Sequence, residues 1–214
     1  MQIIDIPTER TTAATDAFLA IFAVAAITYL SRIAMQDPLK MRIWCGFFAF
    51  VAIASVLGTV MHGLVISEGL KRLLWHLLAL AIALSVGMLA MGVAYDMWGS
   101  FSIRRIMPAI LIFMLGLYAL ANLTSFGRIL PVISLAIIVF FALCAYMVKA
   151  VRGQLDGAWL MSVSFFVTII VGIIKASHSV SFKFVWEFDH NGIYHLVQLL
   201  ALFLLVLGLR DYFL

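Results

Sequence analysis

Two short stretches of this chain set histidines among hydroxyls, amides and carboxylates inside otherwise apolar sequence. The first, S-V-L-G-T-V-M-H-G-L, holds Ser55, Thr59 and His62. Residues three and seven positions before a histidine share its helix face, so the three form one polar stripe. The second, F-D-H-N-G-I-Y-H-L-V-Q, holds His190, Asn191, Tyr194, His195 and Gln198. Asn191, His195 and Gln198 follow at spacings of four and three and share a face. His190 and His195 are five apart, about 140° around a helix, and reach one ion only if His190 precedes the first turn on non-helical backbone. A third stretch, T-T-A-A-T-D, brings Thr12, Thr15 and Asp16.

Imidazole nitrogens and carboxylate oxygens are the donors of catalytic zinc, which keeps one position open for water or substrate. His62 and His195 are therefore candidate metal ligands, with His190 or Asp16 as the third. Asp16, when not a ligand, serves as a general base or backs a histidine. Asn191, Tyr194 and Gln198 are placed to hold an oxyanion, and Thr59 to orient His62 or its water. Plainer roles exist for several of these residues. The Ser55–Thr59–His62 stripe can bond a neighbouring helix, Asn191 can cap a helix N-terminus, and Asp16 can complement a helix dipole.

The elements that must position these groups are membrane spans. A chain of 214 residues, 65% hydrophobic and 11% charged with mean hydropathy +1.16, is not a water-soluble globule. Seven apolar segments, about 16–35, 43–66, 72–97, 105–123, 129–150, 158–177 and 192–212, are each long enough for a hydrocarbon core about 30 Å thick. None shows the alternation of a barrel strand, so helices must satisfy the backbone. The expected fold is all-α and integral to the membrane: a seven-transmembrane helix bundle forming one domain over residues 1–214.

Alternating spans gather His62, His76, His178, His190 and His195 at one face and leave Asp96 at the other. A titratable ring at membrane depth is costly, which singles out His62 and His195. The residues before the first span are as acidic as basic, so that span reads as retained and not a cleaved signal. Eight basic residues on the C-terminal face against six on the other favour an outside N-terminus and a cytoplasmic C-terminus. Nothing points to nucleic acid. Cys45 and Cys144 read as free thiols, and Pro108 and Pro131 as first-turn residues of spans four and five. The segment from Ser177 to Asn191 reads as a short strand or an interfacial cover with Trp186 at headgroup level, or as a lid. The last span has no mid-helix lysine for a retinal Schiff base, and no GxSxG, P-loop or HExxH motif occurs.

Seven spans, a histidine late in span two with hydroxyls upstream, and a histidine-bearing start to span seven resemble the CREST superfamily. That superfamily includes alkaline ceramidases and the progestin/adipoQ receptors. The resemblance implies zinc held by a span-two histidine and an HxxxH pair in span seven, assisted by a span-two serine and a span-three aspartate. The implied chemistry is zinc-activated water attacking the amide of ceramide or a related lipid. His62 matches the span-two ligand and His195 the second histidine of HxxxH. Asn191 stands at the first position of that motif, with His190 one residue away. Gly58 stands four residues before His62, where the family has its hydroxyl, with Thr59 adjacent; the acids nearest to the missing span-three aspartate are Glu68 and Asp16. HNGIYHLVQ also resembles HN-x(3)-H-x-x-Q stretches of bacterial seven-helix proteins.

The expected function is a zinc-dependent, ceramidase-like intramembrane hydrolase of a lipid amide or ester, with the metal between helices two and seven. The alternative is a non-catalytic membrane protein that binds or senses a lipid or small molecule in a histidine-lined cavity. A third reading is a b-type haem between His62 and His195.

Overall fold

In a computed structural model, which describes residues 2–33, 37–123, 130–177 and 180–213, the chain is all-helical apart from two small two-stranded sheets. The helices are α1 (Pro7–Ile33), α2 (Pro38–Gly63), α3 (Glu68–Leu123), α4 (Leu130–Val151), α5 (Ala158–Ser177) and α6 (His190–Phe213). All six are long and apolar enough to cross a membrane, as a multi-pass membrane protein requires. Each packs on its neighbour in sequence, and α1 against α6 closes the ring. His178 lies outside the described residues.

The helix count differs from the seven expected because spans three and four run together as α3. Its 56 residues would extend about 84 Å if straight, far beyond a hydrocarbon core of about 30 Å. The helix is broken at Gly99, whose φ of 78° and ψ of 175° are not helical. Met114 of the second half packs on Gly87 of the first, and Met91 shares a buried cluster with Ile103, so the two halves fold back on one another. Pro108 falls well inside the second half and not in a first turn, because that half starts directly after Gly99. Pro131 does fall in the first turn of α4.

α1 starts nine residues before the apolar boundary at 16 suggested by hydropathy. Pro7 supplies a preset φ at the helix start and Glu9 complements the dipole, so the polar run PTERTTAATD is helical. Two short strands hold it in place. β1 (Gln2–Ile3) pairs antiparallel with β2 (Leu64–Val65), and the Ile4 amide donates to the Gly63 carbonyl at 3.1 Å. The entry to α1 is thereby tied to the exit of α2.

The main core joins all six helices, with Leu30, Trp44, Phe48, Tyr146, Met161 and Leu209 among its fully buried side chains. Close approach depends on missing side chains at a few points: a Cβ on Gly92 would stand 2.7 Å from the Trp44 ring. At the end opposite the histidines, Lys40 of α2 and Asp96 of α3 form a buried ion pair at 2.5 Å. The Tyr146 hydroxyl of α4 donates to Asp96 Oδ2 at 2.6 Å, and the Lys40 ammonium lies 2.9 Å from the Tyr212 ring centroid of α6. One buried charge pair thus joins four helices. Cys45 and Cys144 are free, as read from the sequence.

Candidate functional site

Three helix ends converge at the histidine face: the start of α1, the end of α2 and the start of α6. The first turns of α1 point polar groups inward, and Thr11, Thr12, Thr15 and Asp16 are all buried. His195 on α6 is 8% exposed, a depth at which an imidazole needs partners. Its Nδ1 lies 3.3 Å from Thr15 Oγ1 and 3.4 Å from Asp16 Oδ1. The Thr15 hydroxyl spends its one hydrogen on the Thr12 carbonyl at 2.9 Å, so toward His195 it accepts. Nδ1 therefore carries the hydrogen, and Nε2 is left with a lone pair.

His62 is arranged in the same way. Its Nδ1 meets Glu9 Oε2 at 2.6 Å, and a carboxylate only accepts. Glu9 and not a span-two hydroxyl holds this ring: Thr59 donates to the Ser55 carbonyl of its own helix at 2.8 Å. Both carboxylates come from α1. Glu9 and Asp16 are seven residues apart on one face, so the His62 pair sits about 10 Å nearer the mouth along α1 than the Asp16 level.

Asp16 reaches α2 as well as α6. Gly58 leaves a notch that the carboxylate fills: a Cβ there would stand 2.4 Å from Asp16 Oδ2. The position at which the CREST resemblance places a span-two serine is thus a gap occupied by an α1 carboxylate.

The start of α6 is capped by Asp189. Its Oδ1 accepts from the Asn191 and Gly192 amides, both at 3.0 Å, and from the Thr12 hydroxyl at 3.3 Å. Asn191 is therefore inside the helix and is not its N-cap. His190 is also in the first turn, since α6 begins there. The non-helical backbone that would let His190 and His195 share an ion is absent, and the two rings leave α6 on different sides. Tyr194 lies beside His195 with ring centroids 5.0 Å apart, and the Lys175 ammonium of α5 lies 4.5 Å from the Tyr194 ring. Lys175 and His62 are both close enough to His195 to act on it electrostatically. Gln198 lies one turn deeper on α6, half-buried.

Over this end lies a hairpin, β3 (Phe182–Lys183) paired with β4 (Glu187–Phe188). Phe182 and Phe188 stack at 4.8 Å, Lys183 pairs with Glu187, and β4 packs on α1 and α6. Its tip, Phe184, Val185 and Trp186, is exposed. A cavity of about 410 Å³ separates the hairpin from Pro7, Arg10, Thr11 and Ala14 of α1.

Among the described residues, no three His, Cys, Asp or Glu side chains converge as a metal-binding group. His62 and His195 are brought to one end and each is backed by a carboxylate; His190 is not brought to them. Sequence reasoning missed Glu9 and Asp189. Pro7 followed by Glu9 was the available sign that α1 starts early, and Asp189 directly before the helix was the sign of the cap.

The fold and site define an all-helical protein with membrane-length apolar helices and a polar, histidine-bearing mouth. Residues 11–212 match the family of unknown function DUF6962, and the chain belongs to that family. No curated protein and no solved structure matches it.

Proposed function

We propose that this protein crosses the membrane seven times, with the two halves of α3 as separate spans, and hydrolyses an amide or ester bond of a membrane lipid with zinc held at the mouth of α1, α2 and α6. The observation that carries the reading is that Nδ1 of both His62 and His195 faces a carboxylate of α1. A carboxylate behind Nδ1, with Nε2 left as the lone pair, is the outer-shell arrangement of metal-binding histidines. The donor types suit zinc; Asp16, which lies against α2 and α6, would become the third protein donor only by leaving its place behind Nδ1 of His195. Zinc in such a setting acidifies water to a pKa of about 7 and polarises an acyl carbonyl.

The chain's own groups would do the rest. Glu9 and Thr15 fix the two rings, and Asp16, if left off the metal, accepts a proton from water. Asn191 and Gln198 share the α6 face of His195 and would help hold a carbonyl oxygen, with the Tyr194 ring beside that of His195. The β3–β4 hairpin shields the mouth from bulk water. The basic residues gathered at the opposite end favour a cytoplasmic C-terminus.

A second reading, a histidine-lined binding site without hydrolysis, is favoured by the lack of three converging ligands among the described residues. Elemental analysis of detergent-purified protein decides between them. The hydrolase reading expects about one zinc per chain in the wild type and none in His62→Ala or His195→Ala, since a catalytic site with three protein ligands does not survive the loss of one. Wild-type protein without metal, purified free of chelators, leaves the binding reading. A red preparation with a Soret band would instead establish haem.

A further inference from the structure

At the end of the bundle away from the histidines, a cavity of about 540 Å³ opens between the first turns of α2 and the Gly99 reversal of α3. Arg42 of α2 and Arg104 of α3 both line it. Both side chains are exposed, and neither has an ion-pair or hydrogen-bond partner among the described residues. Of the other cations at this end, Lys40 pairs with Asp96, Arg210 with Asp211, and Arg105 lies over the Phe101 ring at 4.2 Å, while Arg32, Lys149 and Arg152 do not line the cavity. Two uncommitted guanidiniums from different helices thus face one space.

The one acid of that cavity, Asp37, is turned to structural work. Its Oδ1 accepts from the Lys40 amide at 3.1 Å and its Oδ2 from the Tyr95 hydroxyl at 2.7 Å, which caps α2 and ties it to α3. Two guanidiniums against one carboxylate leave a net positive charge. The remaining wall includes Leu39, Met107 and Leu111. A charged rim over an apolar wall, at the end of membrane-length helices, suits an amphiphile better than a free ion.

We propose that Arg42 and Arg104 bind the phosphate of an anionic phospholipid, with its glycerol and first acyl carbons against Leu39, Met107 and Leu111. Guanidinium forks match phosphate oxygens in pairs, and anionic lipids are drawn to basic groups at the membrane surface. This site is independent of the one at the histidine end.

Native mass spectrometry of the full-length protein in detergent, titrated with phosphatidylglycerol or phosphatidylcholine, tests it. Phosphatidylglycerol should be retained in preference to phosphatidylcholine. Arg42→Gln with Arg104→Gln should weaken that retention about tenfold or more, the effect of losing charge-assisted hydrogen bonds. Each single variant should give a smaller loss, and Arg105→Gln, outside the cavity, should bind as wild type. Equal retention of both lipids, or a double variant that binds as wild type, overturns the proposal. Displacement of phosphatidylglycerol by millimolar inorganic phosphate also overturns it, because the site would then belong to a soluble anion.

Discussion

Gly58→Ala tests the contact on which the candidate site turns. The new Cβ would stand 2.4 Å from Oδ2, 2.8 Å from Cγ and 3.1 Å from Oδ1 of Asp16. Real Cβ contacts do not fall below 3.0 Å, so the carboxylate must retreat by more than half an ångström. It is short, buried and already against His195, and it has little room to do so. Overpacking of this kind costs about 1–3 kcal/mol. Alanine in a helix gains about 0.5–1 kcal/mol over glycine, so the fair reference is Gly172→Ala, which has no atom within 4 Å. Relative to that reference, Gly58→Ala should melt lower by about 2–4 °C for each kcal/mol, read by intrinsic fluorescence in detergent. If Asp16 supports His195 as a zinc ligand, zinc affinity measured against a chromogenic chelator should also fall about 10–100-fold. A variant that melts with Gly172→Ala refutes the wedge. One that melts lower yet binds zinc as tightly as wild type refutes the role of Asp16 at the metal while leaving the packing argument standing.

The remaining predictions concern the scaffold. Lys40→Met strands Asp96 in the core and should cost about 3–5 kcal/mol, most of it regained in Lys40→Met with Asp96→Leu; a double variant no more stable than the single would show that the pair is not the anchor of the four helices. Asp189→Ala should cost about 1 kcal/mol and speed amide exchange in the first turn of α6, and Asp189→Ser should restore both; exchange unchanged in the alanine variant would reject the cap. Gly157→Ala places a Cβ 2.0 Å from the Gly208 carbonyl oxygen at a φ of 74°, whereas Gly153→Ala meets open space at a φ of 59°. The second should lose only about 1–2 kcal/mol from backbone strain, and the first should fail to yield folded protein in detergent; equal melting temperatures would refute the close approach of α5 and α6.

Hydropathy located nearly every apolar helix, because membrane length is written directly in composition. It failed where a helix continues into polar sequence. Thr11 and Thr12 belong to α1 because the helix buries them at its contact with α6 and the hairpin, and Glu9 because it reaches His62 of α2, tertiary facts that apolar windows cannot register. The break between spans three and four was visible as the polar run around Gly99, but whether such a run forms a loop or a sharp reversal depends on one backbone angle. His62, His195 and Asp16 were legible because each is polar where lipid or core should be. Lys40 and Asp96 were legible only singly. Each looks like an interfacial charge, and nothing in a sequence says that residues 56 apart will bury each other.

The hardest constraint on the zinc reading is the spacing along α1. Glu9 and Asp16 lie on one face about 10 Å apart by the helix rise; Glu9 is hydrogen-bonded to His62, and Asp16 stands 3.4 Å from Nδ1 of His195. A single zinc needs both Nε2 atoms within about 2.1 Å of itself, hence within about 4.2 Å of one another. Glu9 holds His62 at the mouth, so an ion shared with His195 must draw the His62 ring inward and loosen the contact with Glu9. Zinc should then alter amide exchange over the first turns of α1 and the last turn of α2, which β1 and β2 tie together, and leave the middle of α5 unchanged. Exchange followed by mass spectrometry with and without zinc reads this directly. Zinc that binds without disturbing the mouth would have to sit on one histidine alone. A chain with a single imidazole ligand has no catalytic metal centre of the kind proposed.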